Sequence, residues 1–170
     1  MATLTPPLSE RNETALERLD RNLIELMQEV RVGQTGVQVL FGFLLTVPFT
    51  SRFGVLTESQ RRLYFATLAV AGAAAMLLIA PSAQHRMLFR CGDKERLVRV
   101  ANRYAIAGLV CVAIAMVGAL LLVADVLFGG PVAVLAALAG GVGCGWCWFL
   151  EPFLRRRSLE RGAMAAADDG

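Results

Sequence analysis

Four apolar runs dominate this sequence of 170 residues. They occupy residues 32–49, 63–80, 104–128 and 132–150, and each has roughly the 20 residues that cross a bilayer as a helix. Only the third run contains a charged residue, Asp125, near its end. Lipid offers no hydrogen-bond partner to the backbone, which favours helices in such segments. The pattern predicts an all-α fold, a four-span transmembrane helix bundle.

The composition supports one membrane domain rather than a soluble one. Hydrophobic residues make up 56% of the chain and charged residues 18%, whereas soluble domains carry about 25% charged residues. We expect a disordered leader over residues 1–8, the membrane domain over 9–157 and a flexible tail over 158–170. The first thirty residues are polar and mixed in charge, so we expect no cleavable signal peptide.

The basic residues are distributed unequally between the two sets of connecting segments. Of the 17 Lys and Arg residues, 14 lie before the first run, between the second and third, or after the fourth. The other three, Arg52, Arg61 and Arg62, follow the first run. The positive-inside rule then places both termini in the cytoplasm. We expect the basic loops to contact anionic lipid headgroups, and we expect no binding to nucleic acid.

An amphipathic helix is predicted before the first run. Its apolar positions recur at helical spacing: Leu16, Leu19, Leu23, Met27 and Val30. This cytoplasmic N-terminal helix can lie on the membrane surface or under the bundle, or it can dock a partner protein. No strong breaker separates it from the first span.

The first run is the only one with amide side chains near its centre. Steps of three or four residues place polar groups along one predicted helix face: Arg31, Gln34, Thr35, Gln38 and Thr46. Because lipid cannot pair an amide, we expect this polar stripe to face the bundle interior. Its amides can hold helices together by hydrogen bonds, or they can line a pore.

Small residues mark packing faces on the later runs. Small residues recur at every fourth position, which predicts one packing stripe in the third run and one in the fourth. The stripe of the third run consists of Ala107, Cys111, Ala115 and Ala119. The stripe of the fourth run consists of Ala133, Ala137, Gly141 and Gly145. We expect the two stripes to face each other across the Gly129–Pro131 turn. Pro81 is expected to end the second span.

Cys144 and Cys147 form the one string that resembles a chemical motif. Such a pair can cycle between dithiol and disulfide, and it resembles the pair in four-span quinone-linked oxidoreductases of the vitamin K epoxide reductase type. Neither predicted outer loop contains a cysteine to act as a shuttle, so we favour two small packing thiols. His85 is the only histidine, and no ligand cluster surrounds it in sequence. We therefore expect no metal, no cofactor and no enzymatic activity.

Three stretches resemble an uncharacterised family of small actinobacterial membrane proteins, a domain of unknown function. They are residues 29–41, 79–86 and 96–103, and the likeness extends over most of residues 15–155. The preference for Arg over Lys fits a GC-rich genome of this kind. The resemblance implies a four-span fold in a bacterial plasma membrane and no established activity.

Three functional hypotheses remain from the sequence. The first is a structural or accessory membrane component that binds a membrane-protein partner or assembles with itself as a homo-oligomer. The second is a channel or transporter that uses the polar stripe. The third is a membrane thiol oxidoreductase.

Overall fold

The computed structural model describes residues 15–88 and 94–168, which form helices and short connections without a β-strand. The five α-helices are α1 (Ala15–Thr46), α2 (Glu58–Leu88), α3 (Lys94–Phe128), α4 (Gly130–Gly145) and α5 (Glu151–Asp168). Two 3₁₀ turns, Val47–Phe49 and Ser51–Val55, connect α1 to α2, and a π-helical turn, Trp146–Leu150, connects α4 to α5. The predicted leader, residues 1–8, lies outside the described residues.

Four helical stretches are long and apolar enough to span a membrane, which confirms that expectation. They are Arg21–Phe49, Glu58–Met87, Arg96–Phe128 and Gly130–Ser158. Each is longer than the apolar run that predicted it, because polar residues extend every helix at the end that carries most of the arginines and extend α2 at the opposite end as well. We call the end with most of the arginines the Arg-rich end, and the opposite end, where α3 turns into α4, the Gly129 end.

Helices α1, α2 and α3 pack against one another in an antiparallel arrangement. One buried cluster near the Arg-rich end joins them through Val30, Val37, Ala74, Leu78, Ala105 and Val112. A second cluster towards the Gly129 end contains Leu44, Tyr64, Ala71, Ala115 and Leu122. Ala71 and Ala74 of α2 are fully buried, because small side chains let the three backbones approach closely.

The fourth helix lies beside this three-helix core. Within the described residues, α4 contacts α3 but neither α1 nor α2, so the arrangement differs from the predicted four-helix bundle. Helix α4 carries no polar side chain other than the thiol of Cys144. Because no face of such a helix is costly to expose to lipid, its sequence does not require an interior position.

The predicted end of the second span at Pro81 is wrong. Helix α2 continues through Pro81 to Leu88, and the proline is fully buried. Neighbouring helices can compensate for the hydrogen bond that a proline removes from a membrane helix, so Pro81 need not end it.

The amphipathic segment is confirmed in part as the beginning of α1, although residues 9–14 lie outside the described part. There is no break between it and the first span, since α1 is one helix from Ala15 to Thr46. At the other terminus, residues 158–168 are helical in α5, where the sequence predicted a loose tail. The alanines of this segment are strong helix formers.

A glycine with positive φ makes the turn at the Gly129 end. Gly129 has φ 88° and ψ 176°, and its N–H donates to the carbonyl of Asp125 over 3.2 Å. The carboxylate of Asp125 in turn accepts a hydrogen bond from Nε2 of Gln60 over 2.9 Å. This contact ties the end of α3 to the start of α2.

Candidate functional site

The inward face of α1 is defined by a buried residue at every seventh position. Leu23, Val30, Val37 and Leu44 are all nearly inaccessible to solvent. Seven residues are close to two turns of a helix, so this repeat keeps one side of α1 against its neighbours. Any polar group of α1 can therefore be assigned to the inside or the outside by its position relative to these four.

Gln34 is the polar residue that lies on this inward face. It is half-buried, and its Nε2 donates to the backbone carbonyl of Leu78 in α2 over 2.6 Å. Leu78 lies in the turn that precedes Pro81, where the proline ring and its missing N–H disturb the backbone hydrogen bonding. The carbonyl that loses its partner at Pro81 is that of Leu77, four residues earlier, so Gln34 bonds the next carbonyl in the same turn.

The side chain of Leu78 fills the space between two glycines. An ideal Cβ on Gly108 of α3 would lie 2.7 Å from Leu78 Cδ2, and one on Gly33 of α1 would lie 3.6 Å from Leu78 Cδ1. The hydrogen bond and this close packing occur at the same level of the bundle. Together they hold α1, α2 and α3 to one another.

The other members of the predicted stripe lie on the outside of the single chain. Arg31, Thr35, Gln38 and Thr46 are exposed, so the prediction that they face the interior is wrong. Each step of four residues turns 400° around a helix, or about 40° beyond a full turn. A row of such steps therefore winds away from the face on which it begins.

Two of these exposed groups are paired within their own helix. The hydroxyl of Thr35 donates to the carbonyl of Arg31 over 3.1 Å, and that of Thr46 donates to the carbonyl of Phe43 over 2.7 Å. The amide of Gln38 has no hydrogen-bond partner among the described residues. Gln38 lies eleven residues before Phe49, or roughly 16 Å along the helix axis at 1.5 Å per residue. That distance places an exposed amide near the middle of the apolar span.

The small-residue stripe of α3 faces α1 and α2 rather than α4. Ala115 is fully buried with Leu44, Tyr64 and Ala71, and Cys111 packs against the cluster around Leu78. The remaining members, Ala107 and Ala119, are half-buried.

Helix α4 meets a different side of α3. An ideal Cβ on Gly140 would lie 2.8 Å from Leu120 Cδ1, and one on Gly141 would lie 3.8 Å from Val117 Cγ2. Ala133 is buried, Ala137 and Gly145 are half-buried and Gly141 is exposed. The expectation that the two stripes face each other is therefore wrong. The stripe of α3 packs against α1 and α2, whereas α4 contacts the side of α3 that carries Val117 and Leu120.

The two cysteines of the CxxC string are free thiols. Cys144 is half-buried and lines a cavity between α3 and α4, whereas Cys147 is exposed in the π-helical turn. No group of three or more potential metal ligands occurs within residues 15–88 and 94–168. This part of the chain therefore offers two thiols at helical spacing without a cluster of metal ligands around them.

A protein family of unknown function, DUF6328, matches residues 12–152 of this chain. The match covers all four membrane-length helices up to the start of α5. The chain belongs to this family. No curated protein and no solved structure matches it. The DUF6328 family assigns no activity, so function must be argued from the exposed amide of α1 and its surroundings.

Proposed function

We propose that this DUF6328 protein is a self-assembling accessory component of a bacterial plasma membrane, with both termini in the cytoplasm. Its four apolar helices support insertion. The orientation is supported by the sequence positions of 14 of its 17 basic residues, which come before the first apolar run, between the second and third, or after the fourth. In this orientation the basic segments face the anionic lipids of the cytoplasmic leaflet.

The observation that carries the proposal is the exposed amide of Gln38. An unpaired amide in hydrocarbon is unfavourable, and amides that pair between helices stabilise membrane assemblies by about 0.6–2 kcal/mol each. In the single chain, Gln38 can meet only lipid on this face. A second copy that brings its own Gln38 to the same level provides both a donor and an acceptor.

Exposed glycines accompany Gln38 on α1. An added Cβ on Gly36 or Gly42 would meet nothing within 4 Å, so these positions are open to another helix. Gly42 follows Gln38 by four residues and therefore lies near it on the helix surface. Close approach at a small residue would allow two such amides to reach each other.

The sedimentation of purified protein in detergent tests self-assembly. We expect the wild-type chain to form an oligomer and Gln38→Leu to shift the population towards monomer, while the helix content measured by circular dichroism stays that of the wild-type chain. Thr35→Val is the matched control, because its hydroxyl is already bonded to its own helix. A monomeric wild-type chain, or a Gln38→Leu variant with the wild-type mass, would contradict the proposal.

A channel made of several copies is the alternative that the same exposed stripe allows. The interior of one chain is poorly equipped to conduct, because Gln34 is bonded to Leu78 and Thr67 is bonded to Leu63. A pore would instead require several copies to surround it with the exposed faces of their α1 helices. Selective flux through proteoliposomes that Gln38→Leu abolishes would establish the channel, whereas no flux from a stable oligomer would support the accessory role.

We further infer a non-enzymatic role for the thiol pair. Cys147→Ser is expected to leave the oligomer mass and the unfolding midpoint unchanged. In protein purified without reductant, alkylation followed by mass spectrometry should find Cys144 and Cys147 modified as free thiols. A disulfide between them would instead support the thiol oxidoreductase.

A further inference from the structure

A cavity of about 500 Å³ lies between α1 and α2 at the Arg-rich end. It is lined by Leu23, Ile24, Met27, Gln28, Arg31 and His85. Five of these residues come from α1 and one from the last turns of α2. The cavity is separate from the exposed amide of Gln38, which lies two turns further along α1.

One part of the cavity lining is apolar and the other is rich in hydrogen-bond donors. Leu23, Ile24 and Met27 offer hydrocarbon contacts. Arg31 carries a permanent positive charge and five N–H donors, and the imidazole of His85 can donate in either protonation state. Among the residues that the structure describes, no carboxylate is part of this lining. This combination favours an anion that is attached to a hydrocarbon chain.

The walls of the cavity are held by the contacts described above. Gln34, one turn beyond Arg31, is bonded to Leu78, and Leu78 lies two turns before His85. The relative positions of α1 and α2 are thus fixed beside the cavity. A site whose walls are already placed loses less conformational entropy when it binds a ligand.

The level of the cavity along the helices matches that of a lipid headgroup. Arg31 lies eighteen residues before Phe49, or roughly 27 Å along the axis, and the hydrocarbon core of a bilayer is about 30 Å thick. Arg31 therefore falls at the membrane boundary if Phe49 lies at the opposite one. This step rests on the membrane insertion proposed above, but it does not depend on self-assembly.

We propose that this cavity binds the phosphate group of an anionic phospholipid, with Arg31 and His85 on the phosphate and Leu23, Ile24 and Met27 along the start of an acyl chain. Arginine is suited to phosphate because its planar donors can bond two oxygens at once. Basic pockets between membrane helices on the cytoplasmic side commonly bind such headgroups. A soluble phosphate compound would share the headgroup chemistry but not the apolar contacts.

Native mass spectrometry of the purified full-length chain tests this site. The probes are dioctanoylphosphatidylglycerol, dioctanoylphosphatidylcholine and glycerol 3-phosphate, each titrated in detergent micelles. We expect Arg31→Gln and His85→Gln each to weaken phosphatidylglycerol binding about fivefold or more, as the loss of a charge-assisted or neutral hydrogen bond does. Arg86→Gln is the control, since Arg86 is exposed beside His85 and does not line the cavity; its effect should stay below about twofold.

The outcomes separate the possible ligands and the two proposals. Equal binding of the two lipids, or equal phosphatidylglycerol binding by all three variants, would overturn the site. Glycerol 3-phosphate binding as tight as that of phosphatidylglycerol would replace the lipid by a soluble phosphate compound. The same spectra report the mass of the assembly, so a monomer that still binds phosphatidylglycerol selectively would contradict self-assembly alone. A thermal unfolding midpoint within the wild-type range shows that each variant is folded.

Discussion

Glycine at position 108 determines how closely α2 and α3 can approach. Cδ2 and Cγ of Leu78 both lie 2.7 Å from the position that a Cβ on Gly108 would occupy, and the backbone nitrogen of Leu78 lies 3.4 Å from it. A side chain there would displace Leu78, which also packs towards Gly33. The sequence does not distinguish Gly108 from other small residues of α3, because its importance depends on the side chain opposite.

Gly108→Ala is expected to lower the free energy of unfolding by about 1–3 kcal/mol, as overpacking of a filled contact does. Denaturation in mixed micelles containing SDS measures this quantity. Gly143→Ala is the control, because an added Cβ there would meet nothing within 4 Å. Equal stability of the two variants would show that the Leu78 contact is not tightly packed.

Gly129→Ala tests the turn at the opposite end. Its φ of 88° and ψ of 176° belong to a region that is almost restricted to glycine, and an L-residue there costs about 1–3 kcal/mol. The same denaturation assay should report this loss even though the space around Gly129 is open. Gly145→Ala should not destabilise, since Gly145 has helical angles of −62° and −42° and nothing within 4 Å.

At the scale of the helix, sequence patterns predicted which segments are helical better than which side of each helix is covered. Apolar runs of sufficient length already indicate membrane helices, because a bilayer imposes their length. The side of α1 that packs against the other helices is marked by the buried seven-residue repeat of Leu23, Val30, Val37 and Leu44. A row of four-residue steps through Gln34 and Gln38 crosses from one face to another, so the two amides have different surroundings.

Other features of the helices could not be read from the sequence. The position of α4 beside α3 alone could not be predicted, because a helix that is apolar on all sides has no polar face to orient it. The continuation of α2 through Pro81 was also not predicted, because the proline is buried against other parts of the chain. In both cases the deciding information is a contact between distant segments.

Gln34→Leu tests the link between α1 and α2. The variant loses the hydrogen bond to the Leu78 carbonyl, and we expect the free energy of unfolding to fall by about 0.6–2 kcal/mol. Thr35→Val should leave it unchanged, because the Thr35 hydroxyl bonds only within α1. If Gln34→Leu unfolds at the same SDS fraction as the wild-type chain, the hydrogen bond from Gln34 to the Leu78 carbonyl does not stabilise the fold.

At the scale of the whole molecule, two similar amides of one helix have different surroundings. Gln34 holds α1 to α2, and we propose that Gln38 joins one chain to another. The cavity near Arg31 is a third surface, which we propose to lie at the membrane boundary. The family match over residues 12–152 contains all of these features.

Energy transfer between labelled copies of the chain tests whether Gln38 joins one copy to another. Donor-labelled and acceptor-labelled copies are reconstituted together in lipid vesicles. Wild-type chains should show transfer above the level set by random proximity at the same ratio of protein to lipid. Gln38→Leu should reduce it to that level, whereas Gln34→Leu and Thr35→Val should retain it while the chain remains folded. Wild-type transfer no higher than random, or transfer unchanged by Gln38→Leu, would contradict the assignment of Gln38 to an interface between copies.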